Sequence, residues 1–537
     1  MKDDDRTTGA DATPPPPARE TAGLGFSHRQ IMLTMSGLAI AMLLAMLDNM
    51  IVSPALPTIV GELGGLDHLA WVVTGYILAS TAATPIWGKL GDLYGRRITF
   101  TSTVALFLLG SVLCGLSQDM IQLVAFRAVQ GLGAGGLMVG VLSIVGEMIP
   151  PRDRSKYQGV IMAVMPVAMI AGPLIGGFIT DNLSWRWAFY INLPLGVVTL
   201  IVCWVTLGKL PKGSGRERID WTGAGLLTVW ITALVLIASW GGTEYDWASP
   251  QIIFLAVLTV TTFVAFLIVQ QRVVEPIMPL RVFKSRNFSL ASGVAFISGF
   301  AMFGAMGFLP QYQQFVQGSS ATNSGLLLMP MMVAAMVVSL SGGVLISKTG
   351  RYKWLPVAGS ILVTTGLGLF ATVGLNTSKG TTFLYMAVLG AGMGAMMQTS
   401  TLIAQNSVAM RDMGVGSGAV TFLRNMGSSL GVSLLGALYT SRLTESLTRA
   451  GIGGGSGDMG DSASSMTPKA LKALPDTVQH VFQQAVTDGI TTLFTWGAVV
   501  AAAGIAVALL IRHVPLREAA NPQKAETEPE RVATPGN

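Results

Sequence analysis

Charge is scarce in this chain. Only 12% of its 537 residues are Asp, Glu, Lys or Arg, whereas 51% are hydrophobic and the mean hydropathy is +0.58. That balance is too apolar for a soluble globular protein of this length. Cysteine is nearly missing: Cys114 and Cys203 both fall inside apolar runs, which supports neither a disulfide framework nor a metal site. The four histidines, His28, His68, His480 and His513, read as loop or tail residues, so an imidazole relay through a membrane is excluded and a buried proton carrier has to be a carboxylate. Carboxylates are also rare in the second half, where Asp412 is the only one between Glu275 and Glu445. The chain has no long soluble domain, His cluster or nucleophile motif. This argues against an enzyme or a non-transporting membrane receptor, and no cofactor is expected.

What the chain does have is apolar runs of about 20 residues, the length that crosses a bilayer, repeated with short polar breaks. Fourteen such spans are predicted, at roughly 31–54, 69–88, 98–117, 121–147, 157–180, 188–208, 221–240, 250–271, 288–309, 323–347, 354–375, 380–405, 414–440 and 487–511. The expected class is an all-α, multi-pass membrane protein. The first run, from Ile31, lacks a cleavage-type ending and reads as a retained helix. Residues 1–30, with prolines at Pro14 to Pro17, and residues 512–537 read as disordered tails.

An even number of spans puts both termini on one side, and basic residues decide which. Arg186, Lys379, Arg442, Arg449, Lys469 and Lys472 would lie on one side and Arg127 and Arg424 within spans, leaving the rest of the 34 Lys and Arg on the other. By the positive-inside bias that richer side, with both termini, is cytoplasmic. The sequence pI of 9.3 is therefore a membrane signature and no hint of nucleic acid. Gly453–Ser465, in the outer loop 441–486, reads as flexible and external.

The chain also repeats itself. Gly88, Asp92, Gly95 and Arg96 recur in spacing as Gly343, Ser347, Gly350 and Arg351, and Gly159, Gly172 and Gly176 recur at the same offset as Gly414, Gly427 and Gly431. Gly131, Gly133 and Gly135 are echoed by Gly390, Gly392 and Gly394. Two six-helix units are expected at 31–208 and 288–511, with two inserted helices at 221–271.

Four places carry chemistry. Gly88–Arg97 packs three glycines, one acid and three bases into ten residues; it reads as a sharp turn just outside the lipid, with Asp92 as its odd member. Asp48 lies in the first span, roughly 9 Å below its outer end, and Arg127 in the fourth lies at the same depth by the same 1.5 Å rise. An acid so placed should face a partner or a wet cavity, and Arg127 is a fixed charge able to bias it. Gly172-Pro173 with Gly176 and Gly177, and Ala168 one turn before, predict a close-packed, kinked fifth span. Arg424, about 15 Å into the thirteenth span at the same rise, has no acid in its own half; a chloride, a substrate oxygen or an acid of the other half could satisfy it.

At these residues the chain resembles a known family. Gly88–Arg97 is similar to the loop signature of the major facilitator superfamily, Arg127 with Gln130-Gly131 to its helix-four motif, and Gly172-Pro173 with Gly176-Gly177 to its antiporter motif. Leu47-Asp48 with Ala55-Leu56-Pro57, Trp185-Arg186-Trp187 with Phe189 and Ile191-Asn192, and Leu309-Pro310-Gln311-Tyr312 resemble the fourteen-helix drug:proton antiporters. The resemblance spans about residues 30 to 512; Ala168 stands where the antiporter motif usually begins with Gly, and the tenth and thirteenth spans carry no acid.

It implies alternating access in a plasma (inner) membrane, with hydrophobic drugs or antibiotics exported against protons and no other energy source. Asp48 would take the proton and Arg127 tune it. Gly88, Asp92, Gly95, Arg96 and Arg97 would latch the cytoplasmic side, and Gly172, Pro173, Gly176 and Gly177 would guard against leak. A transporter of the same fold moving a lipid, metabolite or amino acid is the alternative. The oligomeric state is left open, a monomer being compatible with everything above.

Overall fold

The computed structural model describes residues 27–63, 69–162, 164–210, 219–241, 245–319, 327–409, 412–450, 471 and 474–516. Gly453–Ser465 and most of both tails lie outside the described residues. The rest is helical. The elements are α1 (His28–Leu63), α2 (Leu69–Tyr94), α3 (Arg96–Leu116), α4 (Met120–Met148), α5 (Pro151–Met162), α6 (Val164–Asn182), α7 (Trp187–Tyr190) and α8 (Asn192–Thr206). There follow α9 (Trp221–Trp240), α10 (Pro250–Arg272), α11 (Arg286–Phe315), α12 (Met329–Thr349), α13 (Trp354–Phe370), α14 (Lys379–Asn406), α15 (Met413–Arg449) and α16 (Asp476–Leu509).

Among the described residues ten helical segments are long and apolar enough to cross a bilayer, against the fourteen spans expected. The starts have local causes. Asp119 and Ser378 accept from the backbone N–H of Gln122 and Thr381 at 2.8 and 3.1 Å, capping α4 and α14, and Ser249 with Pro250 opens α10. Lipid-type exposure is plainest on α10, where Ile253, Phe254, Val257, Val260, Val264 and Ile268 all face outward.

Two expectations need correcting. His28 opens α1, so the tail ends before it, and His480 lies inside α16 rather than in a loop, because that helix starts at Asp476, whose acid suits the positive N-terminal end, well before the apolar run near 487. The turn in Gly88–Arg97 is a single residue: α2 stays helical through Tyr94, Gly95 alone takes a positive φ of 88°, and α3 begins at Arg96. Its counterpart Gly350 also has positive φ, 67°, and ends α12.

Close packing follows the repeat. A Cβ at Gly131 or Gly135 would stand 2.4 or 2.2 Å from the carbonyl of Tyr76 or Ser80 on α2, and one at Gly133 2.5 Å from the Phe107 nitrogen on α3. In the second half Gly390 and Gly394 press likewise on Met331 and Ala335 of α12, and Gly392 on Val363 of α13. The small residues thus wedge α4 between α2 and α3, and α14 between α12 and α13.

Apart from α5, helices α1 to α8 pack chiefly among themselves, as do α11 to α16, while α10 pairs with α9, which reaches α2 and α15. Between the two groups, α2 meets α15 and α5 meets α12. Gly88 on α2 lies against Gly414 on α15, and Gly159 on α5 against Ser339 and Leu340 on α12. These contacts lie toward the end of the molecule that holds Gly95 and Gly350, called the basic end below.

Candidate functional site

Asp48 and Arg127, placed at one depth by counting residues, are in contact. Both are fully buried and form an ion pair between Asp48 Oδ2 and Arg127 Nη1. Polar neighbours complete the cage. Gln130 Nε2 and Asn192 Nδ2 donate to the other carboxylate oxygen, Oδ1, at 2.7 and 2.9 Å. Arg127 donates further to Gln130 Oε1 at 2.8 Å, to the Val72 carbonyl at 3.3 Å and to Asn49 Oδ1 at 3.4 Å, and its guanidinium lies 4.2 Å over the Tyr76 ring. Asn192 Nδ2 also donates to Ser111 Oγ at 2.9 Å, and Ser111 donates to the Phe189 carbonyl at 2.8 Å.

Side chains from α1, α3, α4 and α8 therefore meet around one carboxylate. Buried charge is tolerated when each partner is paired and hydrogen-bonded, as here. Sequence reasoning missed Gln130, Asn192 and Ser111 as members of this cluster. Gln130 was findable one turn from Arg127, and Asn192 as an amide heading an apolar run. Ser111 carried no signal, since a helical serine ordinarily bonds its own backbone.

The expected small-residue stripe on the fifth span sits beside this cage. A Cβ on Gly172 would lie 2.2 Å from Met50 Cβ, and one on Gly176 2.6 Å from the Ile51 carbonyl, so α6 presses on α1 directly after Asp48-Asn49. Ala168 is fully buried on the same stripe. Gly177 has open space around it and takes no part in this contact. The side chain of Pro173 lies outside the described residues, and α6 continues through its backbone.

At the basic end Asp92 bridges the two helix groups. It accepts from the backbone N–H groups of Gly414 and Val415, at 2.9 and 2.8 Å, in the first turn of α15, and it pairs with Arg96. Arg96 Nε donates to Glu147 of α4 at 3.0 Å. An acid on exposed helix-start N–H groups is favoured by both hydrogen bonding and the helix dipole. Gly88 is what lets α2 come so near, because a Cβ there would stand 2.6 Å from the Gly414 carbonyl. Arg97 stays outside the cluster, its guanidinium 4.1 Å over Trp204.

Neighbouring contacts tighten the same face. Gln158 donates to Gln405 Oε1 at 3.0 Å, and Gln405 donates to the Leu142 carbonyl at 3.0 Å. Lys89 pairs with Glu275, Arg281 with Asp412 at 2.8 Å, and Ser347 donates to Asp153 of α5 at 2.9 Å. At the opposite end Glu62 pairs with Arg186 and accepts from Trp185 Nε1 at 2.8 Å. The Arg186 hydrogen bond, then that of Trp185, holds the Glu62 carboxyl below the ordinary carboxylate range. This contact is therefore intact at neutral pH and is lost as pH falls through the depressed value. Arg424 on α15 meets neither carboxylate nor ion among the described residues; its neighbours are hydroxyls and a carbonyl of α14.

Long apolar helices, a buried ion pair within one helix group and a polar seam between two groups define a polytopic membrane transporter. The chain belongs to the Major Facilitator Superfamily, whose family model matches residues 38–432. It is 39% identical, over 91% of its length and 70% of the relative's, to an uncharacterized MFS-type transporter of Mycobacterium tuberculosis. It is 34% identical to multidrug transporter protein MdtP of Bacillus subtilis, with 95% of this chain and 98% of that one covered. Similarity of 32% to the MFS-type efflux pump LUC4 of a Fusarium species covers 94% and 92%. In fold it matches the human organic anion transporter MFSD10 with a TM-score of 0.58 at 13% identity, over 88% of this chain and 99% of that one. The proton:xylose symporter XylE matches with a TM-score of 0.56 at 13% identity, over 88% and 95%.

Proposed function

We propose that this transporter exports hydrophobic drugs or antibiotics in exchange for protons. The observation that carries the reading is the division of labour on Asp48, one oxygen on Arg127 and the other on two amide donors. A proton arriving on Oδ2 sets an O–H against the Arg127 N–H and breaks the ion pair, while the amide contacts to Oδ1 can persist. Protonation is thereby converted into a change in how α1 holds α4. Similarity to proteins named as multidrug and efflux transporters favours drugs as cargo. Met residues such as Met46 and Met138, packed beside the first-half core, would suit varied apolar ligands.

In this reading the chain crosses the inner membrane fourteen times, as two six-helix units at 31–208 and 288–511 with α9 and α10 inserted between them. The basic end faces the cytoplasm. Asp92 on α15 and Ser347 on α5 then close the cytoplasmic side, as one part of an alternating-access cycle requires. Expression in a pump-deficient bacterium is expected to lower susceptibility across a panel of hydrophobic drugs, with loss of the effect when the proton gradient is collapsed. Unchanged susceptibility at verified membrane expression would count against drugs as cargo.

Topology is checked separately. An impermeant thiol reagent applied to intact cells, with Cys114 and Cys203 replaced, is expected to label Arg449→Cys and not Tyr94→Cys. The reverse pattern would invert the orientation.

A further inference from the structure

Four arginines are buried among the described residues; Arg96 and Arg154 lie in the first turns of α3 and α5, whereas Arg127 and Arg424 lie well inside their helices and are compensated differently. Arg127 has a carboxylate, amide oxygens and a backbone carbonyl. Arg424, only 5% exposed, uses one nitrogen, Nη2, toward Thr401 Oγ1 at 2.9 Å, Ser400 Oγ at 3.4 Å and the Met397 carbonyl at 3.4 Å. The two hydroxyls spend their own protons on Met397, at 3.1 Å from Ser400 and 3.2 Å from Thr401, so toward Arg424 they act purely as neutral acceptors. Arg424 Nε is buried without a partner, and Nη1 has none among the described residues.

No carboxylate among the described residues pairs with Arg424. The nearest acid in sequence, Asp412, precedes α15, lies about 16 Å or more along the helix at 1.5 Å per residue, and is engaged by Arg281. A guanidinium cannot escape by losing its proton, and a buried charge without an opposite one is strongly unfavourable. Backbone geometry also pins the residue in place: Gly299 of α11 lies directly under the Arg424 carbonyl, where a Cβ would come within 2.1 Å, and Ser428 donates to that carbonyl at 2.9 Å. The arginine is held with unspent donors at a depth where water is scarce.

We infer that Arg424 is an anion-binding site. It takes one singly charged group at Nη1, the guanidinium nitrogen that is neither partnered among the described residues nor enclosed, with Thr401 and Ser400 orienting the guanidinium through Nη2. The group has two sources, a free halide such as chloride or the carboxylate of a transported compound. The site belongs to the second helix group, apart from the Asp48 cage, and it stands whichever way cargo moves.

The test uses the purified full-length protein in nanodiscs at fixed pH and ionic strength, with sodium sulfate as background. Sodium chloride and sodium benzoate are titrated separately and thermal unfolding is followed. A saturable upward shift of about 2 °C or more is expected for the wild type once the anion exceeds its Kd a hundredfold. Arg424→Gln is expected to lose that shift and, in sulfate alone, to unfold no earlier than the wild type, because a lone buried charge has been removed. A response to chloride alone assigns the site to a free halide, a response to benzoate alone assigns it to a substrate carboxylate, and a response to both shows one site open to either. Absence of any saturable shift in the wild type overturns the proposal even if the variant fails to fold. An equal shift in Arg424→Gln overturns it as well. Neither readout involves transport, so failure here leaves the export reading untouched.

Discussion

Asp48→Asn is expected to abolish uphill export driven by a proton gradient while leaving a protein that still binds and exchanges drug. The asparagine keeps an oxygen where Gln130 and Asn192 donate, so half of the cage survives. Its amide nitrogen replaces the oxygen that faced Arg127, setting donor against donor as the protonated acid would. The variant therefore mimics one protonation state and cannot alternate. In inverted vesicles, drug uptake on acidifying the lumen should fall to the level of vesicles lacking the protein, whereas drug-for-drug exchange persists. Breaking one side of a buried ion pair costs about 3–5 kcal/mol, so monodispersity of the purified variant is part of the measurement. If folding suffers, adding Arg127→Gln removes the stranded charge and should restore it without restoring gradient-driven transport. Gradient-driven uptake at wild-type rate in Asp48→Asn would remove the residue from coupling.

Much of this site was legible because depth in a membrane helix is arithmetic. The rise per residue alone places Asp48 and Arg127 at one level, and lipid then makes their pairing the low-cost arrangement. Ser111 was not legible, and Asn192, though visible as an amide heading an apolar run, could not be tied to Asp48 for a different reason. Asn192 is 144 residues from Asp48, and only the packing of α8 against α1 and α3 brings it near. Glycine was ambiguous in a specific way: a turn and a close helix approach both require a missing Cβ. In Gly88–Arg97 the conformational role falls to Gly95, while Gly88 serves the approach to Gly414. The internal repeat identified both loops, yet it could not say that each half would dock on the other half's helix start. That exchange is a property of how the two helix groups meet, and local sequence carries no trace of it.

The two loops, equivalent in spacing, should respond very differently to substitution. The side chain of Asp92 is only 5% exposed, and its carboxylate joins two backbone N–H groups of α15 to Arg96, which is itself tied to Glu147. Ser347 donates an exposed hydrogen bond to Asp153 on the other seam. A hydrogen bond to a charged group contributes about 1.5–3 kcal/mol and an ordinary one about 0.5–1.5. Asp92→Asn loses the charge, turns an amide donor toward the Val415 N–H, and leaves Glu147 as the one charged partner of Arg96 among the described residues. A shift of about 1.4 kcal/mol already changes the ratio of closed to open states tenfold, so the closure at the basic end should open by more than tenfold and transport should drop steeply at unchanged expression. Ser347→Ala should alter the same ratio by no more than a few fold. Reactivity of a single cysteine at Thr84, buried behind the Asp92 seam, is the direct readout. A membrane-impermeant thiol reagent applied from the cytoplasmic face of inverted vesicles should label it far faster in Asp92→Asn than in Ser347→Ala or the parent. Equal, slow labelling in all three would mean that Asp92 does not hold the closure, which would then rest on the glycine contacts of α2 with α15 and the other polar contacts of that face.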